Sequence, residues 1–325
     1  MIVLRKPILA HKRLKQGLSV VLFLALSIAL VFYLYQNRTD FQGLFHLDPS
    51  LVIWILCFAF GGCMMNAYYH KLLLDTYHIP LTLTDWVGVV SIANVIAYVV
   101  PLRMDLLFSA AYYKRTKNLA YGKSASMAAG NVVFGIAFSV LQMLIALLCL
   151  GFVDGVWSYP LWGVTLLLTL GLFVLIAGSI MVEKKKFSFL LRFAILNKII
   201  NGFNALLRNR QLLWRLVFCL ASNNLFHLFL YMACFRGIGL EVKLYEALLY
   251  SAISRMITLV AIVPGNIGIK EAIMGIATVL MGTIFENGVA VSLLHRVALM
   301  SIHFAMALGF AIPVMCNWKK GIPHE

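Results

Sequence analysis

Apolar runs of about 20 residues, the length a helix needs to cross the hydrocarbon core of a bilayer, recur along this sequence and constrain it more than any other feature. Six are uninterrupted: 18–35, 51–74, 124–150, 157–182, 214–235 and 287–317. Two more, 85–113 and 244–283, are broken at Pro101 and at Pro264-Gly265. Proline lacks a backbone N–H and clashes with the preceding helical turn, so each broken stretch reads as two helical arms around an interruption. Hydrophobic residues make up 62% of the chain and charged residues only 12%, where a soluble domain carries about a quarter charged. That composition excludes a soluble enzyme, and disorder needs the opposite balance. The expectation is an all-α polytopic integral membrane protein, with six spanning helices plus two re-entrant hairpins in one transmembrane domain over residues 1–325.

Charge adds orientation. There are 27 Lys+Arg against 12 Asp+Glu, a net charge of +15. In a soluble protein such a surplus points to nucleic acid; in a membrane protein it marks cytoplasmic loops, with anionic lipid head groups as partners and no nucleic acid. If 85–113 crossed once, the basic loop of Lys114, Arg115, Lys117 and Lys123 would lie outside. If the chain returns at Pro101 and again at Pro264, basic residues divide 20 inside to 3 outside, and both termini are cytoplasmic. The basic segment 1–17 precedes the first span without a small-residue cleavage site, so that span is expected to stay uncleaved in the inner membrane.

One hairpin then enters from the cytoplasm and the other from outside, which is the sequence sign of an inverted repeat. Ser91 and Ser254 each stand ten residues before the proline, a valine directly precedes each proline, and charge follows in both: Arg103 and Asp105, then Lys270 and Glu271. Between the halves, 183–215 sets Phe187, Leu190, Leu191, Ala194, Ile195 and Ile199 at helical spacing among lysines and arginines. It reads either as an amphipathic helix on the cytoplasmic leaflet or as a basic linker.

Enzyme motifs are missing. No two acidic residues lie within three positions of each other, which disfavours a carboxylate-held divalent metal. There is no HExxH, Gly122-Lys123-Ser124 lacks the first glycine of a phosphate-binding loop, and the six cysteines form no CxxC pair and read as core packing. No catalytic residue, metal or cofactor is expected.

The informative segment is Val263 to Glu271. Pro264-Gly265 starts a tight turn and Gly268 allows close backbone approach. A helix restarting near Ile269 would present unpaired amides to an anion such as phosphate, with Lys270 adding a full charge. Glu271 reads structurally as a first-turn acid pairing with Lys270, or functionally as a membrane-depth group on a substrate or proton path. Arg296, beside His295 in the last span, reads as the partner of Glu271 or as a holder of lipid phosphate. Arg255 poses the same choice, whereas Arg103 and Asp105 read as a local pair. Asn94, Asn131, Asn223, Asn224 and His227 read as interhelical hydrogen-bond glue.

The run Pro264-Gly265-x-x-Gly268-x-x-Glu271, followed by His295-Arg296, resembles the C-terminal hallmark of the flippase-like lysylphosphatidylglycerol synthase transmembrane-region family. Pro101, Leu102, Arg103, Met104 and Asp105 partly match the related motif of the family's first half, and the likeness spans about residues 15–318. Leu102 and Asp105 stand where the family has glycine, His295 where it has tyrosine, and Asn266 takes the second glycine of the C-terminal run. Members fused to an aminoacyl-transfer domain make and move aminoacylated phosphatidylglycerol. The resemblance implies for this chain the moving part alone: translocation of an anionic lipid or lipid-linked saccharide across the bacterial inner membrane, in membrane-lipid or surface-glycan biogenesis, with lipid-modifying enzymes of the same route as partners. Pro264, Gly265, Gly268, Lys270, Glu271, Arg296, Arg103 and Arg255 are the expected substrate-binding set. The alternative is a membrane-embedded transferase or accessory subunit acting on a phospholipid or polyprenyl phosphate.

Overall fold

The computed structural model describes residues 28, 30–33, 35, 36, 47–100, 103–183, 210–259 and 263–320, and among these every regular element is helical. The first long helix, α1, is Pro49–Asp75. Its start is fixed by Asp48, which accepts the Ser50 amide at 2.9 Å, and by Pro49, whose missing N–H costs nothing in a first turn. Next come α2, Thr84–Val99, and α3, Met104–Lys117. After them run α4, Tyr121–Asp154, and α5, Tyr159–Glu183. The second half begins with α6, Arg210–Gly237, continues with α7, Leu244–Leu259, and passes through a short turn at Pro264–Asn266. It ends with α8, Ile269–Leu280, and α9, Phe285–Lys320.

Helices α1, α4, α6 and α9 are long and apolar enough to cross a membrane. They cover four of the six expected spans, and α5 covers a fifth, 157–182. Of the first expected span, residues 28, 30–33 and 35 are described and helical. Tyr33 there donates to Glu286 at 2.9 Å and sets its ring edge-on to Phe285. Residues 184–209 of the basic segment 183–215, and the whole of 1–17, fall outside the described residues.

Both broken stretches are helix–break–helix. The arms run somewhat longer than expected in the first: Lys114, Arg115 and Lys117 belong to the last turn of α3, not to a loop. Cations suit a helix C-terminus, and Asn118 (φ 54°) closes α3 in the left-handed region. At 12 to 16 residues, each arm is about 18–24 Å long, shorter than the ~30 Å hydrocarbon core.

Packing between the halves is reciprocal. The helices that precede the hairpins, α1 and α6, form the most extensive contact. The helix after the first hairpin, α4, lies on the first arm of the second, α7; the helix after the second hairpin, α9, lies on the first arm of the first, α2. Small residues allow close approach: a Cβ on Gly61 would collide with Phe226 across the halves, and, within the second half, one on Gly288 would come within 2.4 Å of the Met274 carbonyl. The apolar core gathers around Tyr231, Phe235, Tyr250 and Met274. Leu167, Phe173, Phe218 and Leu308 stay exposed, as side chains facing lipid do. Core packing explains three of the cysteines, Cys63, Cys219 and Cys234; Cys57 and Cys316 are exposed on apolar faces, a setting a soluble-protein rule mistakes for a core.

Candidate functional site

The tip of the second hairpin is a backbone knot. Val263 is extended, Gly265 (φ 57°) and Asn266 (φ 50°) are left-handed, and Gly268 (φ 80°) opens α8. Glycine at 268 is needed for that φ, and Gly265 also lies against Tyr98 of α2 and Arg296 of α9. Asn266 Nδ2 donates to the Ile257 carbonyl at 2.7 Å, tying the knot back to the last turns of α7.

Glu271 sits at the third position of α8 and is 1% exposed. Its Oε2 accepts the Gly268 amide at 2.8 Å, one half of a capping box. Its Oε1 accepts Arg296 Nε at 2.9 Å and lies 2.7 Å from Nη2. The same guanidinium donates to the carbonyls of Gly265 and Asn266. Arg296 therefore braces the knot, and nearly all of its N–H groups are spent on protein acceptors. The anticipated Lys270–Glu271 pair does not form, because adjacent positions on a helix face different ways. The carboxylate, not an external anion, takes the cap of α8.

Lys270 instead meets His295 Nδ1 at 3.1 Å, and His295 Nε2 lies 3.2 Å from His227 Nδ1. When Lys270 is an ammonium, which only donates, His295 Nδ1 accepts and its Nε2 is left to donate to His227. Tyr231 stacks on the His295 ring at 4.3 Å. Arg255, on α7, donates through Nε to Asn224 at 3.1 Å, and through Nη2 to Asn223 when that amide is turned to its satisfied orientation. Among the described residues, neither Lys270 nor Arg255 has a carboxylate within ion-pair distance.

The first hairpin reaches the same place. Val100 is extended and Arg103 (φ 56°) left-handed, and Arg103 Nη1 donates to the Thr258 carbonyl at 3.3 Å, at the negative end of α7. Arg103 Nε and Asp105 Oδ1 are 3.6 Å apart, too far for a hydrogen bond, and each lacks a hydrogen-bond partner.

Between the two tips lies a cavity of about 280 Å³. Arg103, Arg255, Lys270 and Arg296, the four basic residues within the membrane segments, all line it, as do Gly265 and Asp105. Glu271 stands behind Arg296; Gly268 shapes the tip and Pro264 is buried in it. Asn66 and His70 of α1, Asn94 of α2, Asn131 of α4 and His303 of α9 line it too. His70, His303 and Asn66 did not stand out in the sequence. Their signal is periodic: Gly62, Asn66 and His70 on α1, Asn223, His227 and Tyr231 on α6, and His295, Leu299 and His303 on α9 recur every four residues. Each stripe alone resembles interhelical glue; only the fold brings the stripes to one cavity.

A bundle of long apolar helices around a buried, charged cavity defines a multi-pass membrane protein. A family model described as the lysylphosphatidylglycerol synthase transmembrane region matches residues 18–309, and the chain belongs to that family. Neither a curated protein nor a solved structure gives a significant match. The family places the protein in lipid-related biogenesis.

Proposed function

We propose that the protein translocates a lipid with an anionic, phosphate-bearing head group, or a lipid-linked saccharide, across the inner membrane. One observation carries the reading: Arg255 and Lys270 face the cavity, and their hydrogen-bond partners among the described residues are neutral. A central charge costs a spanning helix ~2.5–3.5 kcal/mol, and among the described residues neither cation has a carboxylate within ion-pair distance. A stability role does not account for keeping two such cations, whereas a phosphate oxygen would complete both. Arg103 and its neighbour Asp105 border the same space from the first hairpin.

In this reading the head group's phosphate is held by Arg255 and Lys270 while its acyl chains stay in the bilayer. Pro264, Gly265 and Gly268 shape the tip, and Glu271 with Arg296 hold it rigid. The two broken stretches act as re-entrant hairpins of an inverted repeat, with tips that meet at the cavity. Support comes from the reciprocal packing of α4 on α7 and α9 on α2, and from Gly265 lying against Tyr98. Opening one hairpin's side while closing the other would expose the cavity to the leaflets in turn. The division of basic residues, 20 to 3, supports cytoplasmic termini. The protein is read as a translocator rather than an enzyme, with anionic lipid or lipid-linked glycan as its partner, beside enzymes that modify such lipids.

Reconstituted vesicles test this. Fluorescent phosphatidylglycerol in the inner leaflet should become accessible to an external quencher faster with protein than without, and faster than phosphatidylcholine. Equal rates for the two lipids would contradict an anion-selective site.

A further inference from the structure

Glu271 is spent on the Gly268 amide and on Arg296, so a proton path through this tip has to run over other groups. Lys270 Nζ meets His295 Nδ1 at 3.1 Å and His295 Nε2 meets His227 Nδ1 at 3.2 Å. Three side chains, from α8, α9 and α6, thus form one chain of hydrogen bonds. Lys270 is 8% exposed and His295 1%. Tyr231, stacked on the His295 ring, holds the plane of the middle link. The far end is open: among the described residues His227 Nε2 has no protein hydrogen-bond partner. It lies on the cavity wall beside Gly62 of α1, 3.5 Å from where a Cβ there would stand.

Such a chain has two complete arrangements that differ by one proton. In the first, Lys270 is an ammonium, His295 donates from Nε2, and His227 carries its own proton on Nε2. Each transfer breaks one N–H bond and hands the proton on: Lys270 Nζ to His295 Nδ1, His295 Nε2 to His227 Nδ1, His227 Nε2 to solvent water in the cavity. In the second arrangement Lys270 is a neutral amine that accepts from His295 Nδ1, and both links are satisfied again. Histidine chains at membrane depth are suited to relaying protons. Arg103, Arg255 and Arg296 face the same space, and a guanidinium keeps its charge. Glu271 and Asp105 each lie against one of these guanidiniums, and neither is within ion-pair distance of Lys270. Tyr98 bonds His303, His70 stands on α1, and Cys234 of α6 lies near Lys270. Of the four basic residues, only Lys270 can set its charge aside. We propose that Lys270, His295 and His227 form a proton-transfer site, and that one proton moves with each anionic head group, which Lys270 holds as an ammonium and frees as an amine. This inference rests on the anionic-lipid reading given above.

The test is lipid accumulation in phosphatidylcholine vesicles that carry the full chain, with fluorescent phosphatidylglycerol in both leaflets. Potassium and valinomycin hold the membrane potential at zero. With the interior more acidic by about one pH unit, the labelled lipid should gather in the outer leaflet, toward an excess of about tenfold. Protein-free vesicles under the same gradient set the baseline, and a trapped pH-sensitive dye should show protons leaving with the lipid. His227→Gln still accepts from His295 but has no second ring nitrogen to pass a proton on, so it should erase the excess. His295→Gln breaks the chain one link earlier and serves if His227→Gln does not fold. Translocation that ignores the gradient would overturn the proton coupling and leave the anionic-lipid reading standing. No protein-dependent translocation, with or without a gradient, would overturn that reading itself. An excess that persists in either folded variant would overturn the assigned chain.

Discussion

Single residues divide into those that hold the fold and those left available. Asp85 belongs to the first group. It is 1% exposed, bonds the Thr82 amide and hydroxyl and the Tyr112 hydroxyl at 2.8–2.9 Å, and lies 2.7 Å from Lys117 Nζ. That network staples the two arms of the first hairpin at their base. Asp85→Asn should lower stability by about 2–4 kcal/mol, read as a drop in thermal midpoint in mild detergent. Lys117→Met should also cost stability, because it leaves the carboxylate of Asp85, 1% exposed, without its counter-ion. Unchanged midpoints in both variants would mean the staple is not where the stability lies. Arg296 is the second brace. Arg296→Lys keeps the charge but loses the planar fork that reaches Glu271, Gly265 and Asn266 at once. Faster hydrogen exchange at the Gly265–Gly268 amides is the expected result, and unchanged protection would remove the brace role. Neutralising Lys270 and Glu271 together is therefore a poor test of the site, because it strips Arg296 of its carboxylate. The Arg296–Glu271 pair was one of two readings open in the sequence. The involvement of His295 with Lys270 was not legible, since 25 residues separate them and nothing local links a lysine to a histidine in the next helix.

Elements were more legible than contacts. Proline and glycine mark both breaks, and apolar length marks four long helices, because backbone sterics and bilayer thickness act locally on the chain. What the sequence hid was convergence. Asn66, Asn131 and His70 look like ordinary polar residues in apolar helices until α1 and α4 come to one cavity. The close pairing of α8 with α9 likewise depends on tertiary approach. A Cβ on Gly288 would sit 2.4 Å from the Met274 carbonyl and 2.2 Å from Thr278 Oγ1, and backbone cannot step aside. Gly288→Ala should therefore force the helices apart and cost about 1–3 kcal/mol, measured as a lower thermal midpoint. A neutral result would show that α8 and α9 tolerate separation.

At the scale of the whole molecule, orientation and transport are the open quantities. With cytoplasmic termini, a cysteine placed at Asn118, in the exposed turn after α3, should resist an impermeant thiol reagent added outside intact cells. One at Val156, exposed between α4 and α5, should react, both in a cysteine-free background. The reverse pattern would overturn the hairpin topology. The central claim is narrower: Arg255 and Lys270 are kept for an anionic head group, not for the fold. Its most direct test is translocation of fluorescent phosphatidylglycerol in vesicles containing Arg255→Gln/Lys270→Gln protein. Removing two cations without carboxylate partners should leave the thermal midpoint equal or higher, since their cost is relieved, and should bring translocation down to the protein-free rate. A folded double variant that still moves phosphatidylglycerol at the wild-type rate would contradict the account.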